Sequence, residues 1–192
     1  MNICLYGASS NEINPSYIRQ TELLGEQLAR RGHSLIFGGG DGGLMGAAAR
    51  GVFSAGGKIT GVAPSFFNVD GRLYKNCTEL IYTETMRERK EIMETKADGF
   101  IVTPGGPGTF DEFFEILTLR QLGRHTKPIA VFNICGYYDS LAALLKNAAE
   151  QKFMTDRALS LCFFSSDCGK LLDYIERYKS DPSDIGSFKY IK

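Results

Sequence analysis

The sequence predicts an α/β fold with three layers, α/β/α, in which helices cover both faces of a mainly parallel sheet. Short runs of β-branched and aromatic residues alternate along the chain with longer stretches of helical periodicity. Strands that alternate with helices usually pair in parallel, because each helix carries the chain back across one face of the sheet. Glycine-rich loops begin at Gly7, Gly38 and Gly105, each just after a predicted strand. Such loops share the carboxyl edge of a parallel sheet, so we expect all three to converge on one crevice.

Seven strands are predicted, each a short apolar run bounded by turn-forming or polar residues. They span Ile3–Tyr6, Ser34–Phe37, Lys58–Ala63, Glu79–Tyr82, Gly99–Thr103, Ile129–Asn133 and Leu159–Phe164. The first helix begins near Pro15, which a first helical turn tolerates, and ends before Gly32. Further helices are expected where apolar residues recur at helical spacing: through Ala55 after the Gly38 loop, then Thr85–Lys96, Phe110–Leu122, Tyr138–Lys152 and Cys168–Tyr178.

The remaining segments set the domain organisation. Residues 65–78 lack a clear periodicity and are expected to pass over the ligand face of the sheet. Residues 1–180 are predicted to form a single nucleotide-binding domain, and residues 181–192 a polar C-terminal tail. No internal repeat or linker interrupts the chain.

Composition excludes several broad classes of function. The 192 residues carry 22 basic and 22 acidic side chains, which gives no general attraction to polyanions, so no nucleic acid partner is predicted. No apolar run approaches the roughly 20 residues that span a bilayer, and no secretory signal is present, so no membrane partner is expected. Five widely spaced cysteines without CxxC spacing, and only two histidines, predict reduced thiols, no metal site and a cytoplasmic location.

The chain is organised around the stretch from Phe100 to Glu112, Phe-Ile-Val-Thr-Pro-Gly-Gly-Pro-Gly-Thr-Phe-Asp-Glu. A β-branched strand ends at Pro104, three glycines accompany a threonine, and an apolar helix then begins. Loop glycines let a ligand approach the backbone, and the unpaired N–H groups of a first helical turn attract anions. Glu112 falls close to the helix start, and helical side chains tilt toward the N-terminus. The stretch therefore predicts a phosphate site with a carboxylate beside it.

Other nucleotide-binding motifs are weaker. A GxGxxG pattern at residues 38–43 matches the dinucleotide fingerprint, but the position about 20 residues on, where an acid would hold a ribose, is Lys58 or Ile59. No GxxxxGK[ST] phosphate loop exists. Ser9 does not lie in a GxSxG elbow and is expected to donate a hydrogen bond to a ligand or to cap a turn. An NAD-dependent oxidoreductase is therefore a minor alternative, and no cofactor is predicted.

The helix after the glycine loop also predicts a partner subunit. Apolar residues cover nearly its whole circumference: Phe110, Phe113, Phe114, Ile116, Leu117, Leu119 and Leu122. One face packs on the sheet, and the rest is covered either by a neighbouring helix or by a second copy of the chain. We expect a homodimer.

Two linked motifs resemble those of a known family. The segments Met86-Arg-Glu-Arg-Lys90 and Pro104-Gly-Gly-Pro-Gly-Thr-Phe-Asp-Glu112 resemble the MxxRK and PGGxGTxxE motifs of the LOG ("Lonely guy") family. Its members are cytokinin riboside 5′-monophosphate phosphoribohydrolases, often mislabelled as lysine decarboxylases. The resemblance covers most of the chain, including the glycine run at 38–46 and the segments 121–128 and 136–138.

The resemblance implies a Rossmann-like domain, usually dimeric, that hydrolyses the N-glycosidic bond of a nucleoside 5′-monophosphate such as AMP or an N6-modified AMP. Arg89 and Glu112 would be the catalytic pair. The nucleotide would contact a larger set: Arg89, Lys90, Gly106, Pro107, Gly108, Thr109, Phe110, Asp111, Glu112 and Thr118. The alternative is a non-catalytic carrier of a nucleotide or of molybdenum cofactor, which needs the glycine loop but not the Arg89–Glu112 pair. Lysine decarboxylase is the weakest alternative, because no pyridoxal phosphate lysine is indicated.

The chain departs from the family pattern at three motif positions. Arg87 stands where many members have His, Asp111 replaces a common Glu, and Pro107 occupies a variable position that is often Tyr. Proline has no N–H, so the phosphate site depends on the neighbouring residues Gly106, Gly108 and Thr109. Residues 65–78 do not align with the family and are a candidate location for base recognition.

Overall fold

A computed structural model describes residues 1–68 and 72–180. The strands are β1 (Asn2–Tyr6), β2 (Ser34–Phe37), β3 (Ile59–Pro64), β4 (Glu79–Thr83), β5 (Gly99–Val102), β6 (Ile129–Phe132) and β7 (Phe163–Ser165). They form one sheet in the order β4-β3-β2-β1-β5-β6-β7, and every neighbouring pair is parallel. The prediction of a mainly parallel sheet is therefore confirmed.

Helices cover both faces of this sheet. They are α1 (Pro15–Arg30), α2 (Gly43–Ser54), α3 (Met86–Lys96), α4 (Pro107–Gln121), α5 (Asp139–Glu150) and α6 (Cys168–Arg177). Successive side chains of a strand point to opposite faces. Accordingly, Ile3 and Leu5 of β1 pack in one core with Leu28 of α1, whereas Cys4 packs in the other core with Phe113 of α4. The two cores confirm the predicted α/β/α layering.

The order of the strands places a change of winding direction beside β1. The chain adds β2, β3 and β4 on one side of β1 and then returns to add β5, β6 and β7 on the other side. The loops after β1 and β5 leave the sheet in opposite directions at this point. Parallel α/β proteins bind ligands in the crevice that such a switch opens.

Most predicted elements occur within a residue or two of the expected bounds, but the last strand is wrong. Residues 159–164 were expected to be extended, whereas Asp156–Leu161 forms a 3-10 helix and the strand covers only Phe163–Ser165. Ala158 and Leu161 of this 3-10 helix are buried in the core on the α3–α5 face. A short apolar run does not by itself distinguish a buried helical turn from a strand. The predicted tail at 181–192 lies outside the described residues.

The cysteines and the helices bear on two further expectations. All five cysteines are free; Cys4 and Cys162 are buried, and Cys135 is exposed. Burial raises the pKa of the Cys4 and Cys162 thiols. Among the helices of residues 1–68 and 72–180, none combines the length and the apolar character that a bilayer crossing requires.

Candidate active site

The loops after β1 and β5 are bonded to each other at the switch point. The Ala8 N–H donates to the Pro104 carbonyl at 3.0 Å, and the Thr103 hydroxyl donates to the Tyr6 carbonyl at 2.9 Å. Gly7 makes this close approach possible, because a Cβ atom at that position would overlap the Thr103 side chain. The two loops therefore form one continuous surface at the carboxyl edge of the sheet.

The loop after β5 leads into an open N-terminus of α4. Gly106 is the N-cap residue, no side chain caps the helix, and Pro107 is its first residue. The N–H groups of Gly108 and Thr109 have no acceptor among the residues that the structure describes. Unpaired N–H groups and the helix dipole together attract anions. This geometry fits the predicted phosphate site, to which Pro107 offers no N–H.

Two tyrosines from the segment after β6 hold this loop. The Tyr137 hydroxyl donates to the Gly105 carbonyl at 2.6 Å, and the Tyr138 hydroxyl donates to the Thr103 carbonyl at 2.7 Å. The Tyr138 N–H is itself bonded to the Asn133 side chain at 2.7 Å. These bonds restrict the loop that starts α4, and they join residues more than 30 positions apart. No spacing in the sequence indicates them.

The N-terminus of α2, in contrast, is occupied by protein atoms. The Gly43 N–H donates to Asn11 Oδ1 at 2.7 Å, and the Leu44 and Met45 N–H groups donate to the Ala8 carbonyl at 2.8 and 3.3 Å. A pyrophosphate at this helix would have to displace these bonds. The GxGxxG pattern at residues 38–43 therefore docks α2 against the loop after β1, which argues against the NAD alternative.

Arg89 and Glu112 form a buried ion pair between α3 and α4. Arg89 Nη1 donates to Glu112 Oε1 at 2.8 Å, and the two side chains are 6% and 11% exposed. Arg89 Nε donates to the Val62 carbonyl at 3.1 Å. The guanidinium also lies against Gly38, where a Cβ atom would overlap it. The structure thus places the two expected catalytic residues in direct contact, beside the loop after β2.

The burial of this pair changes the acidity of the carboxyl group. Burial raises the pKa of Glu112 above its ordinary value, and the charge and hydrogen bond of Arg89 oppose that shift without cancelling it. Asp111 adds a smaller upward contribution to the pKa of Glu112. Glu112 therefore takes up a proton at a higher pH than an exposed glutamate, and its charge depends closely on Arg89.

A cleft of about 570 Å³ opens beside the pair, with Arg89 in its wall. Its other lining residues are Ser9, Asn11, Gly38, Gly40, Asp41, Gly42, Met45, Phe67, Arg72 and Leu73. Ser9 thus borders the cleft as expected, while the capping role falls to Asn11. A smaller pocket of about 260 Å³ adjoins Ala8, Ser10 and Gly106. The loops after β1 and β2 both border the cleft, and the loops after β1 and β5 both border the smaller pocket.

The basic side chains of residues 87–90 lie in different environments. Lys90 Nζ lies 3.0 Å from Asp111 Oδ2 and 2.8 Å from Glu115 Oε2, so Lys90 links α3 to α4. Arg87 is exposed, and of this segment only Arg89 lines the cleft. The environments of these side chains differ because consecutive helical residues do not face the same side.

Among the ten residues implied by the resemblance, Arg89 lines the cleft and Gly106 lines the smaller pocket; the other eight are not lining residues of either cavity. Phe110 is half-buried and packs edge-on against Tyr138, with 6.5 Å between the ring centroids. Thr118 is exposed on α4. It lies roughly 9 Å along the helix axis from Glu112 and about a third of a turn around it. A contact between Thr118 and a ligand at Glu112 is therefore not formed within one chain.

The side chains that could bind a metal ion are dispersed over the described part of the chain. Within residues 1–68 and 72–180, no group of three or more histidine, cysteine, aspartate or glutamate side chains is arranged to hold a metal ion. The polar side chains that line the cleft belong to Ser9, Asn11, Asp41, Arg72 and Arg89, and Glu112 is bonded to Arg89. Such groups suit an anionic organic ligand better than a cation.

Fold and site together define a class: Rossmann-like α/β proteins with an open helix N-terminus for an anion beside a buried Arg–Glu pair. A family model described as "Possible lysine decarboxylase" matches residues 45–175. The chain is 35% identical over 187 residues to a probable cytokinin riboside 5′-monophosphate phosphoribohydrolase of Oryza sativa subsp. japonica, covering 97% of this chain and 76% of that protein. It is 34% identical over 185 residues to a cytokinin riboside 5′-monophosphate phosphoribohydrolase of Arabidopsis thaliana, covering 96% and 87%. The chain belongs to the LOG family, which confirms the resemblance seen in its motifs.

Solved structures with the same fold include proteins of a different kind. The molybdenum cofactor carrier protein of Chlamydomonas reinhardtii superimposes with a TM-score of 0.72 at 20% identity, covering 92% of this chain and 96% of that one. The molybdenum cofactor binding protein of Rippkaea orientalis gives 0.69 at 22% identity, covering 91% and 94%. At these identities the likeness establishes the Rossmann-like fold alone.

Proposed function

We propose that this protein hydrolyses the N-glycosidic bond of nucleoside 5′-monophosphates, releasing the free base and ribose 5-phosphate. Its substrates are AMP or N6-modified AMP such as cytokinin riboside monophosphate. The observation that carries the proposal is the buried Arg89–Glu112 pair, which lies next to a helix N-terminus open to an anion. The curated relatives named above are phosphoribohydrolases that act on such a nucleotide.

The phosphate binds at the start of α4. The N–H groups of Gly108 and Thr109 have no partner in the described part of the chain, and Gly106 is exposed at the N-cap position. Lys90 is partly neutralised by Asp111 and Glu115, so the backbone and the helix dipole supply most of the attraction. Because the phosphate is bound at a point remote from the reacting bond, the ribose is oriented toward Glu112.

Glu112 acts on the anomeric carbon. As the base departs, positive charge develops on the ribose ring, as it does in glycoside hydrolysis in general. A carboxylate held in a largely buried site stabilises that charge and can orient or deprotonate the attacking water. Arg89 fixes one oxygen of Glu112 at 2.8 Å and favours its ionised form against the effect of burial. The reaction as proposed needs no metal and no cofactor.

A carrier of a nucleotide or of molybdenum cofactor is the second candidate, favoured by the shared fold of known carriers. A carrier requires the anion site at α4 but has no use for a buried carboxylate beside the ligand. Burying an ion pair costs desolvation energy that a purely structural contact would seldom justify. The Arg89–Glu112 pair therefore favours the enzyme.

The protein is proposed to act as a homodimer through the outer side of α4. Phe114 and Leu122 are 39% and 42% exposed, although Phe113 and Ile116 of the same helix are buried. An exposed aromatic and aliphatic strip on a regular helix is characteristic of a subunit interface. Thr118 lies on the same helix and is exposed, so an assembly that covers this strip also covers Thr118.

The test is release of base and ribose 5-phosphate from AMP and N6-isopentenyl-AMP in the absence of added metal. Glu112→Gln is expected to lower kcat by about 10²–10³ while AMP still binds, because it removes one preorganised charged group. Glu115→Gln is the matched control, since Glu115 lies one turn further along α4 and pairs with Lys90. Near-normal turnover by Glu112→Gln contradicts the proposed role. Tight binding of nucleotides without release from any of them supports the carrier.

A further inference from the structure

The carbonyl group of Gly105 is held by a side chain from another loop, just before the backbone enters α4. The Tyr137 hydroxyl donates to this carbonyl at 2.6 Å, although the two residues lie 32 positions apart. Tyr137 also lines the pocket of about 260 Å³, together with Ile13 and with Tyr17 of α1. The bond to Tyr137 therefore directs the Gly105 oxygen toward the side of the loop that faces α1.

The direction of this carbonyl fixes the direction of the next N–H group, which belongs to Gly106. The described part of the chain contains no cis peptide bond, and in a planar trans peptide the C=O and N–H bonds point in opposite directions. The two helices concerned cover opposite faces of the sheet, because Tyr17 of α1 packs against one core and Phe113 of α4 lies in the other. With its oxygen on the α1 side, the peptide turns the Gly106 N–H toward the α4 side.

The Gly106 N–H is available to a ligand. It has no acceptor in residues 1–68 and 72–180, and the same is true of the Gly108 and Thr109 N–H groups. The space beside it is open, since a Cβ atom on Gly106 would meet nothing within 4 Å beyond its chain neighbours. Pro107, the first residue of α4, has no N–H to offer. Gly106 can therefore supply an anion with the donor that Pro107 lacks.

A peptide between two glycines needs a bond of this kind to keep its orientation. Gly105 and Gly106 have no Cβ atom, so backbone conformations that other residues avoid are open to them and the peptide can turn over. Turned over, it would present the Gly105 oxygen in place of the Gly106 N–H. The partial negative charge of that oxygen would repel an anion at the start of α4.

Tyr137 is itself held in place. Its ring packs edge-on against Tyr17 and Tyr138, with 6.2 and 5.0 Å between the ring centroids. Its N–H donates to the Ile134 carbonyl at 3.0 Å. The hydroxyl therefore occupies a defined position before a ligand arrives, which limits the entropic cost of binding.

We propose that Tyr137 is a positioning residue for the phosphate: its hydroxyl fixes the Gly105–Gly106 peptide so that the Gly106 N–H joins those of Gly108 and Thr109 as a third donor. This inference rests on the proposed function, because it takes the ligand of α4 to be the 5′-phosphate of a nucleotide. The bond also strengthens the donor, since a carbonyl that accepts a hydrogen bond polarises the N–H of the same peptide. Tyr137 acts through the backbone and does not touch the reacting atoms.

The experiment measures equilibrium binding of AMP, ribose 5-phosphate and adenosine in the Glu112→Gln background, where turnover does not interfere. Tyr137→Phe keeps the ring and removes only the hydroxyl. It is expected to weaken AMP and ribose 5-phosphate roughly tenfold, near the lower end of the effect of losing one hydrogen bond to a charged group. Adenosine, which has no phosphate, should change by less than about twofold.

Tyr138→Phe is the matched control. It also removes a hydroxyl bonded to this loop, but the acceptor is the Thr103 carbonyl, and the nitrogen of that peptide belongs to Pro104, which has no N–H. No donor is turned away, so the affinity for ribose 5-phosphate should change by less than about threefold. Unchanged ribose 5-phosphate affinity in Tyr137→Phe, an equal loss in Tyr138→Phe, or an equal loss for adenosine each overturns the positioning role.

Steady-state kinetics in the presence of Glu112 separate positioning from a general loss of structure. Tyr137→Phe should raise KM for AMP roughly tenfold and lower kcat by less than about threefold, because the lost contact binds substrate and transition state alike. A merely structural effect would reduce the fraction of active protein, and so lower kcat while KM stays the same. That second pattern contradicts the inference.

The outcomes separate this inference from the proposed function. If ribose 5-phosphate binding depends on Tyr137 but the unaltered protein hydrolyses no nucleotide, the positioning role stands and the hydrolase is refuted. If AMP is hydrolysed with dependence on Glu112 but phosphate affinity is indifferent to Tyr137, the hydrolase stands and the positioning role is refuted. If neither AMP nor ribose 5-phosphate binds to the unaltered protein, both are refuted.

Discussion

Replacing Arg89 by methionine tests whether the buried pair behaves as the geometry requires. Arg89→Met keeps an unbranched side chain of similar reach against Gly38 but removes the charge and both donated hydrogen bonds, to Glu112 and to the Val62 carbonyl. Glu112 is then left in a largely buried position without its cation. The consequence is a loss of stability whose size depends on the charge of Glu112.

The magnitude follows from the distance between the two groups. At 2.8 Å and an effective dielectric constant of about 20, the gross attraction is roughly 6 kcal/mol. Part of it is offset by desolvation, and removing one partner of a buried pair commonly costs about 3–5 kcal/mol. The stability lost in Arg89→Met should lie in this range near pH 8, because the carboxylate of Glu112 would be charged there without a partner.

The same variant should be far less damaging in acid. Without Arg89 the pKa of folded Glu112 rises further above its unfolded value, since burial already raises it and the opposing cation is gone. The folded protein then holds the proton more tightly than the unfolded chain. Its stability therefore falls as pH increases from the unfolded pKa, about 4.3, toward the folded one, and the penalty is small below that window.

Urea unfolding of Arg89→Met, Glu112→Gln and the double variant, at about pH 5 and about pH 8, measures this directly. In the Glu112→Gln background, position 112 carries no charge. The further loss of unfolding free energy caused by Arg89→Met should therefore fall to roughly 1–2 kcal/mol. A loss of equal size in both backgrounds, or one that does not change with pH, refutes the account of the pair as a coupled charge site.

Two other predictions concern activity and assembly. Because burial raises the pKa of Glu112, kcat for AMP should begin to fall, as the pH is lowered, at a higher pH than an ordinary glutamate would give. A midpoint of this fall at or below about pH 4.3 would contradict the prediction. Phe114→Asp should convert a dimer into monomers in light scattering, whereas Leu23→Asp, at a site 47% exposed on α1, should not. A monomeric unaltered protein, or dissociation by both variants, contradicts the proposed interface.

The fold was predictable because local signals and global topology agree in this chain. The glycine loops after β1, β2 and β5 and the apolar strands between helices are all visible as residue patterns within a few positions. The exception is informative. Residues 159–164 contain the same apolar residue types as a strand, but Ala158 and Leu161 are buried from a 3-10 helix, a choice made by packing against the rest of the core.

The candidate site was predictable only in part. The family resemblance implied that Arg89 and Glu112 act as a pair, and the structure joins them at 2.8 Å. The same motif did not reveal that Lys90 is bound by Asp111 and Glu115, because the direction of each side chain depends on its position around α3. Thr118 was implied as a ligand contact by family resemblance, yet it lies on another side of α4.

By itself, the sequence determined the parallel α/β architecture, the glycine-loop start of α4 and the family, since each depends on short motifs whose meaning is local. The tertiary structure alone decided which helix N-terminus is free. The α2 terminus is closed by Asn11 and the Ala8 carbonyl, whereas the α4 terminus stays open. It also placed Phe67 beside Arg89 in one cleft. These are contacts between segments far apart in the chain, which arise only when the sheet brings its loops to a common edge.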